Sequence, residues 1–368
     1  MLKKLYVHNF KCLQKFEFDL NDLQSAFLLG KNGSGKTTIF EAIEIFQKIG
    51  QGVTSLDDLF DETSFHFNNI NLPIELKLDV HINRKKYIYK LVIDFPKNFV
   101  IPRVKNEELR CDDKLILARE GGKTRIKEAS NFSLDWHHIG LPLISVNSKK
   151  DSLEIFRKWL KNIIIISPFP RHFHDLSKKE SSILSREGEN LIDWLRYLLS
   201  SNPSLYSVMY NFLKKRMPDL EVFKFENLGR DDRRLIFEFR NNNKSNILDF
   251  AQLSDGEKII CLGAAILAGQ RNNENLLCLW DEPDNFISLT EVKHFTMEFR
   301  RTFEKALTSP QLIICSHNER VINSFSNHNI FVLKKRSHLL STEIILLENI
   351  DYISGTLIDA YEHDELDS

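Results

Sequence analysis

A glycine-rich stretch near the N-terminus, Gly30 to Thr37, reads GKNGSGKT and matches the pattern G-x-x-x-x-G-K-[ST] at every fixed position. An apolar segment precedes it and an amphipathic segment follows it, as a strand–loop–helix motif requires. Glycines let successive backbone N–H groups point at one phosphate chain, and the helix N-terminus adds partial positive charge. We therefore expect Lys36 to bridge β- and γ-phosphates and Thr37 to ligate Mg²⁺.

A second candidate site follows the apolar stretch LLCLW, where Asp281 and Glu282 stand before a proline. Mg²⁺ prefers oxygen ligands and keeps several waters, so an aspartate at a strand end beside a phosphate loop suits the ion. Glu282 is then placed to orient and deprotonate an attacking water. Two carboxylates before a proline could also simply cap a strand. We choose Asp281 as the metal-binding residue and Glu282 as the catalytic base.

A single histidine comes after the next apolar segment, in the sequence LIICSHNER. A lone histidine is usually structural. His317, however, is expected at the carboxyl edge of the sheet that carries Asp281 and Glu282, which is where ligands bind in open α/β sheets. We therefore predict that His317 contacts the γ-phosphate or the catalytic water.

The stretch LSDGEKIICLG, from Leu253 to Gly263, supports two interpretations. Ser254 and Glu257 have the spacing of a capping box before an apolar helix, in which each side chain satisfies a backbone N–H. A capping box does not explain Gly256, because glycine weakens a first helical turn. A glycine is useful there if another group must approach the backbone closely.

Hydrophobic periodicity predicts the elements that position these residues. The predictions, in chain order, are short strands over 1–29, a helix over 37–49, an antiparallel pair over 74–95 with a turn at NRKK, a buried strand over 162–168, two helices over 189–217, a hairpin in LEVFKFENL and RRLIFEFR, helix 254–269, strand 276–281, helix 288–306, strand 311–315, helix 318–325 and strand 329–334. Residues 96–160 show no clear pattern. The alternation after Ser254 favours a mostly parallel sheet covered by helices.

The composition is that of an ordinary soluble protein. The chain has 368 residues, of which 42% are hydrophobic and 27% charged, enough for one large domain or two to three subdomains. The net charge of -1 gives no overall bias toward nucleic acid or anionic membranes. Local basic clusters are most simply solvated faces, although several could converge into a DNA-binding groove. They are Arg84–Lys86, Lys149–Lys150, Lys178–Lys179, Lys214–Arg216, Arg233–Arg234 and Lys334–Arg336.

Cysteine usage and hydropathy indicate a reducing, cytoplasmic setting. The five cysteines contain no C-x-x-C pair, so neither a disulfide framework nor a zinc knuckle is expected, and three lie in apolar runs as buried thiols. The N-terminus lacks the features of a signal peptide, and no apolar stretch is long enough to span a membrane. His172, His174 and Asp175 could bind a metal, but without a further ligand at a known spacing a loop is the simpler interpretation.

The ordered motifs GKNGSGKT, LSDGEK, LLCLWDEP and CSHNER together resemble the ATP-binding-cassette (ABC) ATPases. The branch they resemble is that of RecF/SMC/OLD-like soluble AAA family ATPases, which tend to carry LSDG-E/T where transporters have LSGGQ. The opening LYVHNFKCL…FEFDL resembles the start of this branch and places Lys11 near the nucleotide. NPSLYSVMYNFLKKRMPDLEVFKFE resembles the region before the signature in bacterial ATPases of this kind. The resemblance covers 1–50 and 190–335 well and 51–165 poorly, and no Q-loop glutamine is found.

This resemblance implies a homodimer or higher oligomer in which two heads sandwich two ATP molecules with Mg²⁺. Ser254 and Gly256 of one head, with Asp255 and Glu257 beside them, then bind the γ-phosphate held by the other head. The residues implied to hold the nucleotide at the phosphate loop are Gly30, Asn32, Gly33, Ser34, Gly35, Lys36, Thr37 and Thr38.

The implied fold is an α/β ABC-ATPase head: a phosphate-loop sheet, mostly parallel and flanked by helices, with an antiparallel β-lobe and a helical signature lobe. We expect a discontinuous nucleotide-binding core formed by 1–55 and 250–350. A β-rich lobe over 56–165 and a helical lobe with a hairpin over 166–249 interrupt it, and an acidic tail occupies 351–368.

Three functions remain open on the sequence. The favoured one is an ATP-gated dimerisation switch in a prokaryotic anti-phage defence complex with a separate effector nuclease, because no nuclease motif is present and the stretch after His317 is too short for a domain of about 100 residues. The second is a RecF-like repair ATPase that binds double-stranded DNA. The third, a nucleotide-binding subunit of a membrane transporter, fits poorly with the LSDGE signature and the long separation of Lys36 from Ser254.

Overall fold

The structure, a computed structural model, describes residues 1–96, 101–126, 130–146, 148–351, 357–363 and 365–367. The chain divides into two compact units: Met1–Ile163 with Phe325–Ser368, and Ile164–Ser324. The phosphate loop and Lys11 belong to the first unit. The signature residues, Asp281, Glu282 and His317 belong to the second.

The described strands, in chain order, are β1 (Leu2–His8), β2 (Phe16–Asp19), β3 (Ser25–Leu29), β4 (Ile74–Ile82), β5 (Lys85–Asp94), β6 (Arg103–Cys111), β7 (Lys114–Glu120), β8 (Lys123–Ile126), β9 (Ser130–Ser133), β10 (Ile164–Ile166), β11 (Leu176–Ser177), β12 (Leu220–Asn227), β13 (Arg233–Asn241), β14 (Lys244–Asp249), β15 (Leu277–Asp281), β16 (Gln311–Cys315), β17 (Ile330–Lys334) and β18 (Glu343–Leu346). The described helices are α1 (Lys36–Gly50), α2 (Ser152–Lys161), α3 (Leu191–Ser201), α4 (Leu205–Lys214), α5 (Asp255–Asn272), α6 (Leu289–Glu304), α7 (Glu319–Ile322) and α8 (Leu357–Glu362).

The first unit contains an antiparallel sheet of eight strands in the order β2-β1-β4-β5-β6-β7-β8-β9. The predicted pair over 74–95 is confirmed: β4 and β5 are joined by a turn at Asn83 and Arg84, both with positive φ. The sheet continues through β6 to β9, where the sequence showed no clear pattern. The poorly matched middle of the sequence is thus largely a β-sheet.

The same unit also places β3 beside β17 in parallel, with β18 antiparallel on the far side of β17. All five residues of β3 are buried, and α1 begins after the phosphate loop that follows it. Helix α1 buries its apolar stripe, and Phe46 contacts Tyr89 of β5 with ring centroids 5.9 Å apart. Each fully buried side chain of this kind contributes about 1.5–3 kcal/mol, so packing holds the helix behind the loop.

The second unit confirms the alternation predicted after Ser254. Strands β10, β15 and β16 pair in parallel, with Asp281 of β15 opposite Cys315 of β16. Helix α5 leads into β15, and α6 connects β15 to β16. Trp280 is fully buried and contacts the rings of Phe295 and Phe299 on α6 at 5.7 and 5.2 Å. The carboxyl end of β15 is therefore held rigidly by its own core.

The predicted helix pair and hairpin of the second unit are also confirmed. Helices α3 and α4 lie against α5, and β12 pairs with β13 in an antiparallel hairpin. Strand β14, which the sequence did not reveal, adds to β13. Cys261, Cys278 and Cys315 are buried, as expected for thiols in apolar runs, and burial raises the pKa of the Cys261 and Cys278 thiols. Within the described ranges no helix is long and apolar enough to cross a membrane.

A completely buried ion pair organises the antiparallel sheet of the first unit. Glu107 of β6 and Arg119 of β7 are both inaccessible to solvent, with Oε2 and Nη1 3.9 Å apart. The Glu107 carboxylate accepts hydrogen bonds from the Tyr89 hydroxyl at 2.9 Å and from the backbone N–H groups of Gly140 and Leu141 at 2.8 Å each. Burial raises the pKa of Glu107, while these bonds and the Arg119 charge oppose that rise.

Arg119 makes the matching contacts with backbone carbonyls. Its Nε donates to Gly121 O and its Nη2 to Asp135 O, both at 2.7 Å, and its Nη1 donates to His138 O. Apart from the hydrogen bond from Tyr89 of β5, the hydrogen bonds of the pair given above are with backbone groups of Gly121 and of the segment from Asp135 to Leu141. The pair therefore fixes the segment around 135–141 against the sheet.

Replacing Glu107 by alanine is expected to lower the free energy of unfolding by about 3–5 kcal/mol, because Arg119 would be left buried without its carboxylate. The neighbouring Glu108→Ala is the control, since Glu108 is half-buried and pairs with the partly exposed Arg110. That substitution should cost about 1 kcal/mol or less. Urea unfolding of both variants gives the comparison, and equal losses would show that the buried pair has no special role.

Candidate functional site

The phosphate loop adopts the backbone that its glycines permit. Gly33 and Gly35 have φ of 77° and 104°, in the left-handed region that other residues avoid. Gly35 is also the residue immediately before α1, and no side chain caps the helix start. A helix start without a side-chain cap is the kind of position at which backbone N–H groups bind phosphate.

Lys36 is held inside the loop. Its side chain is largely buried, and its ammonium donates to the carbonyl oxygens of Gly30 and, at 3.2 Å, of Lys31. A buried ammonium held between loop carbonyls at the start of a helix presents positive charge to a phosphate chain. The predicted role of Lys36 fits this position.

Two residues remote in sequence support the loop from beneath. A Cβ on Gly35 would lie 2.8 Å from the Thr342 hydroxyl oxygen and 3.0 Å from the Cys12 sulfur. The Thr342 hydroxyl donates to Ser34 O at 2.8 Å, and its N–H donates to Cys12 O at 2.9 Å. The Cys12 thiol in turn lies 3.5 Å from Thr38 Oγ1. The loop is therefore packed as tightly as a core, although its outer face is open.

The remaining residues predicted to bind phosphate differ in their exposure to solvent. Asn32, Gly33 and Thr37 are exposed, and nothing lies within 4 Å of a Cβ placed on Gly33. Ser34 is buried, and its hydroxyl has no hydrogen-bond partner among the described residues. A buried hydroxyl without a partner among the described residues suits a phosphate oxygen, and the exposed Thr37 suits a metal ion. The residues present therefore fit a nucleotide with Mg²⁺.

Lys11 lies at an irregular turn with φ of 48°. Its ammonium pairs with Glu41 Oε2 of α1 at 2.8 Å and lies 5.7 Å from the Phe10 ring centroid. Its backbone N–H donates to Ser64 O at 2.8 Å. The contact with α1 keeps Lys11 on the helix that starts at the phosphate loop, and its contact with nucleotide remains a prediction.

In the second unit, the parallel pairing of β15 with β16 places the two candidate carboxylates. The Cys315 thiol donates to Asp281 Oδ1 at 2.9 Å, and the Glu282 N–H donates to Cys315 O at 2.9 Å. Glu282 has φ of 50°, a left-handed conformation that costs a non-glycine residue about 1–2 kcal/mol. Such strain is typical of residues whose orientation serves function.

His317 is placed next to Glu282. Its Nε2 lies 3.9 Å from Glu282 Oε1, and its backbone N–H lies 3.4 Å from Oε2. One residue earlier, the Ser316 hydroxyl donates to Asp284 Oδ1 at 2.6 Å. The strand ends thus bring Asp281, Glu282 and His317 to one edge of the second unit, as the sequence predicted.

The signature stretch forms the predicted capping box at the start of α5. Ser254 Oγ accepts from Glu257 N–H at 3.3 Å, while Glu257 Oε2 accepts from Ser254 N–H at 2.8 Å and from the Ser254 hydroxyl at 2.7 Å. Ser254 is exposed, and Asp255, Gly256 and Glu257 are half-buried. The capping-box interpretation of this stretch is therefore correct. The exposure of Ser254 leaves the helix start accessible to a partner.

The reason for Gly256 differs from the one anticipated. A Cβ at Gly256 would lie 2.7 Å from the carbonyl oxygen of Phe286, a residue of the same chain in the turn after Glu282. Phe286 itself has φ of 71°. The close approach that the glycine permits is thus an internal backbone contact. Its N–H can still face a phosphate, and that role remains a prediction.

Residues of the candidate metal site and of the basic clusters make hydrogen bonds and ion pairs within the protein. His172 Nδ1 lies 2.6 Å from Glu187 Oε2, and no group of three metal-ligating side chains occurs among the described residues. Among the basic clusters, Arg216 pairs with Glu298 at 3.0 Å and Arg234 pairs with Glu226 at 2.6 Å. Several of the cations proposed for a DNA groove are therefore engaged within the protein.

Sequence reasoning missed Cys12, Thr342 and the Phe286 carbonyl. The only available signal was the motif glycines themselves, because a glycine with positive φ in a loop implies a close neighbour without saying which one it is. Phe286 lies between the predicted strand 276–281 and the predicted helix 288–306, where the sequence made no prediction.

Gly35→Ala is expected to lower the free energy of unfolding by about 2–4 kcal/mol, because strain at positive φ adds to overpacking against Cys12 and Thr342. Gly33→Ala is the matched control: it has the same sign of φ but open space around its Cβ. It should cost only the strain, about 1–2 kcal/mol. Both are measured by urea unfolding without nucleotide, and identical losses would argue against packing beneath the loop.

Comparison with known proteins places this geometry in context. A family profile with the description "AAA domain, putative AbiEii toxin, Type IV TA system" matches residues 25–323, a range that includes the phosphate loop, the signature, the acidic strand end and His317. None of the curated proteins matches the chain.

Two solved structures share the fold. The Smc head bound to the C-winged helix domain of ScpA aligns with a TM-score of 0.60 and 15% identity over 94% of this chain and 98% of that chain. An Smc head with an extended coiled coil, bound to the C-terminal domain of ScpA derived from Pyrococcus furiosus, aligns with a TM-score of 0.52 and 14% identity over 99% of each chain. Such identities establish the fold alone, and they confirm the predicted ABC-type head. Since the family profile covers most of its residues, the protein belongs to this AAA family, and its fold is that of an ABC-type, SMC-like ATPase head.

Proposed function

We propose that this chain binds ATP with Mg²⁺, hydrolyses it, and uses the bound nucleotide to join two copies head to head. The observation that carries the proposal is the phosphate loop, with its two left-handed glycines, its buried Lys36 ammonium and a helix start that no side chain caps. These three features together are typical of a site that binds a polyphosphate. The family to which the chain belongs is consistent with this activity.

The phosphate loop supplies binding and charge. The backbone N–H groups at the start of α1 donate hydrogen bonds to the phosphate oxygens, Lys36 neutralises the β- and γ-phosphates, and the buried Ser34 hydroxyl contributes a further donor. Thr37 and Asp281 are the residues that would hold Mg²⁺. When bound, this ion neutralises developing negative charge on the phosphates.

Hydrolysis is assigned to the acidic strand end of the second unit. Glu282 accepts a proton from the attacking water, and its strained backbone and its contacts with the 315–317 segment fix the direction of the carboxylate. His317, 3.9 Å from Glu282, is placed to contact the γ-phosphate or the same water. A positioned base of this kind contributes about 10²–10⁴-fold to the rate.

The signature supplies the contact between copies. Ser254 is exposed at the N-terminus of an 18-residue helix, so its hydroxyl and the neighbouring N–H groups can meet a phosphate held by another copy. Each copy would then complete the other's site. ATP binding favours the dimer and hydrolysis releases it, which makes the assembly a switch.

The family description, which names a toxin of a Type IV TA system, favours a prokaryotic defence role. We propose that the switch controls a separate effector, a nuclease in the simplest case, and that it acts in the cytoplasm. This role requires that the ATPase and its neighbouring effector gene together arrest phage infection. Neither one alone should do so.

Glu282→Gln is expected to bind ATP normally, to hydrolyse it about 10²–10⁴-fold more slowly and to accumulate as a dimer, because only the base is removed. Single-turnover hydrolysis and light scattering with ATP measure these effects. Glu221→Gln, a change of the same kind at an exposed site on β12, is the control and should behave as the unmodified protein. Undiminished hydrolysis in Glu282→Gln would remove Glu282 as the base.

Ser254→Arg is expected to bind ATP yet fail to dimerise, because a bulky side chain would occupy the exposed helix start. The lost cap should cost only about 1 kcal/mol of stability, so the fold survives. Ser204→Arg changes another exposed serine before a helix, α4, and should leave dimerisation intact. Wild-type dimerisation and hydrolysis in Ser254→Arg would refute a site shared between copies.

A further inference from the structure

A groove of about 900 Å³ lies in the second unit, away from the signature and the acidic strand end. It is bounded by the C-terminal turns of α5 and α6 and by the loop after α6, with Lys215 at its rim. Because α5 leads into β15 and α6 into β16, the groove lies toward the amino ends of these strands, whereas Asp281 and Glu282 lie at the carboxyl ends.

Cations dominate the lining. Arg271 lies in the last turn of α5, Arg301 lies in the last turn of α6, and Lys305 follows α6. None of the three side chains has an ion pair or a hydrogen bond within the described part of the chain. The carboxylates that line the groove are Glu274 and Glu298.

Glu298 is already neutralised and does not offset these cations. Its two oxygens accept from Lys215 Nζ at 2.7 Å and from Arg216 Nη2 at 3.0 Å. Burial alone would raise the pKa of Glu298, but the hydrogen bonds and charges of Lys215 and Arg216 hold it below its usual value. Three cations therefore face the groove against the single remaining carboxylate of Glu274.

Cations at helix C-termini are common, because they complement the negative end of the helix dipole. That explanation covers Arg271 and Arg301. It does not cover Gln270, which also lines the groove, is only 3% exposed, and has an Oε1 with no hydrogen-bond partner among the described residues. Buried amide oxygens are nearly always hydrogen-bonded, so this one indicates a donor supplied from the groove.

We propose that this groove binds a phosphorylated small molecule of nucleotide size. Arg271, Arg301 and Lys305 would contact the phosphoryl oxygens, since guanidinium and ammonium groups form charge-assisted bonds with them. The Gln270 amide would accept from a hydroxyl or amino group of the ligand. The volume lies within the usual range for small-molecule sites. The proposal does not depend on the proposed function, because no residue is shared between the two sites.

The test uses the full-length chain carrying Lys36→Ala, which weakens phosphate binding at the loop, with pyrophosphate and ADP as probes in isothermal titration at low salt. Adding Arg301→Ala should weaken pyrophosphate binding about tenfold, the loss of about 1.4 kcal/mol expected for one charge-assisted contact. Lys305→Ala is a second variant with the same expectation. Lys293→Ala, an exposed cation on α6 outside the groove, is the control and should change nothing.

Tighter binding of ADP than of pyrophosphate, with the difference removed by Gln270→Leu, would support a nucleoside ligand; equal binding of the two would support recognition of the phosphates alone. Unchanged affinity in both Arg301→Ala and Lys305→Ala would overturn the proposal. Binding of a hexaglutamate peptide without binding of pyrophosphate would also overturn it, and would indicate an acidic protein segment instead. Thermal unfolding without ligand confirms that each variant is folded.

Discussion

The contact of Gly35 with Cys12 and Thr342 is the constraint on which the phosphate loop depends. It fixes a left-handed turn at the residue before α1, and that turn decides where the helix begins and where Lys36 and Thr37 point. The supporting residues come from the segment after β1 and from the segment before β18, so three distant parts of the first unit must fold together before the loop has its shape. Nucleotide affinity and stability of this unit are coupled for that reason.

A comparable constraint operates in the second unit. There the register of β15 against β16 positions the acidic edge, which consists of Asp281, Glu282 and His317. With Asp281 opposite Cys315, the backbone of Glu282 bonds to Cys315 and its carboxylate reaches the His317 N–H. A shift by one residue would turn these side chains to the other face of the sheet. The turn that follows then brings the Phe286 carbonyl against Gly256, so the signature and the acidic edge share a backbone contact.

The sequence predicted what short segments determine and missed what distant contacts determine. The strand–loop–helix around Gly30–Thr37, the capping box and the alternation after Ser254 were all predicted correctly, because their spacing depends on nearby residues. Strands β6 to β9 escaped prediction since the buried Glu107 and Arg119 break the expected apolar alternation, and a register shift at Leu109 breaks it again. The neighbours of Gly35 and Gly256 could not be predicted from local patterns. Cys12 and Thr342 are far from Gly35 along the chain, and Phe286 lies in an irregular turn.

The capping box also sets an electrostatic condition on the proposed dimer. The start of α5 carries positive partial charge from the helix, but Asp255 and Glu257 place two carboxylates beside it. Arg171 lies 4.0 Å from the Asp255 carboxylate and is mostly exposed, so it offsets this charge only weakly. A bare triphosphate would therefore be repelled from the position it must reach. In the proposed dimer, a phosphate whose charge is reduced by the partner copy's lysine and by Mg²⁺ would approach the helix start more easily than a bare one. The condition makes closure depend on a correctly loaded phosphate loop, which is what a nucleotide-gated switch requires.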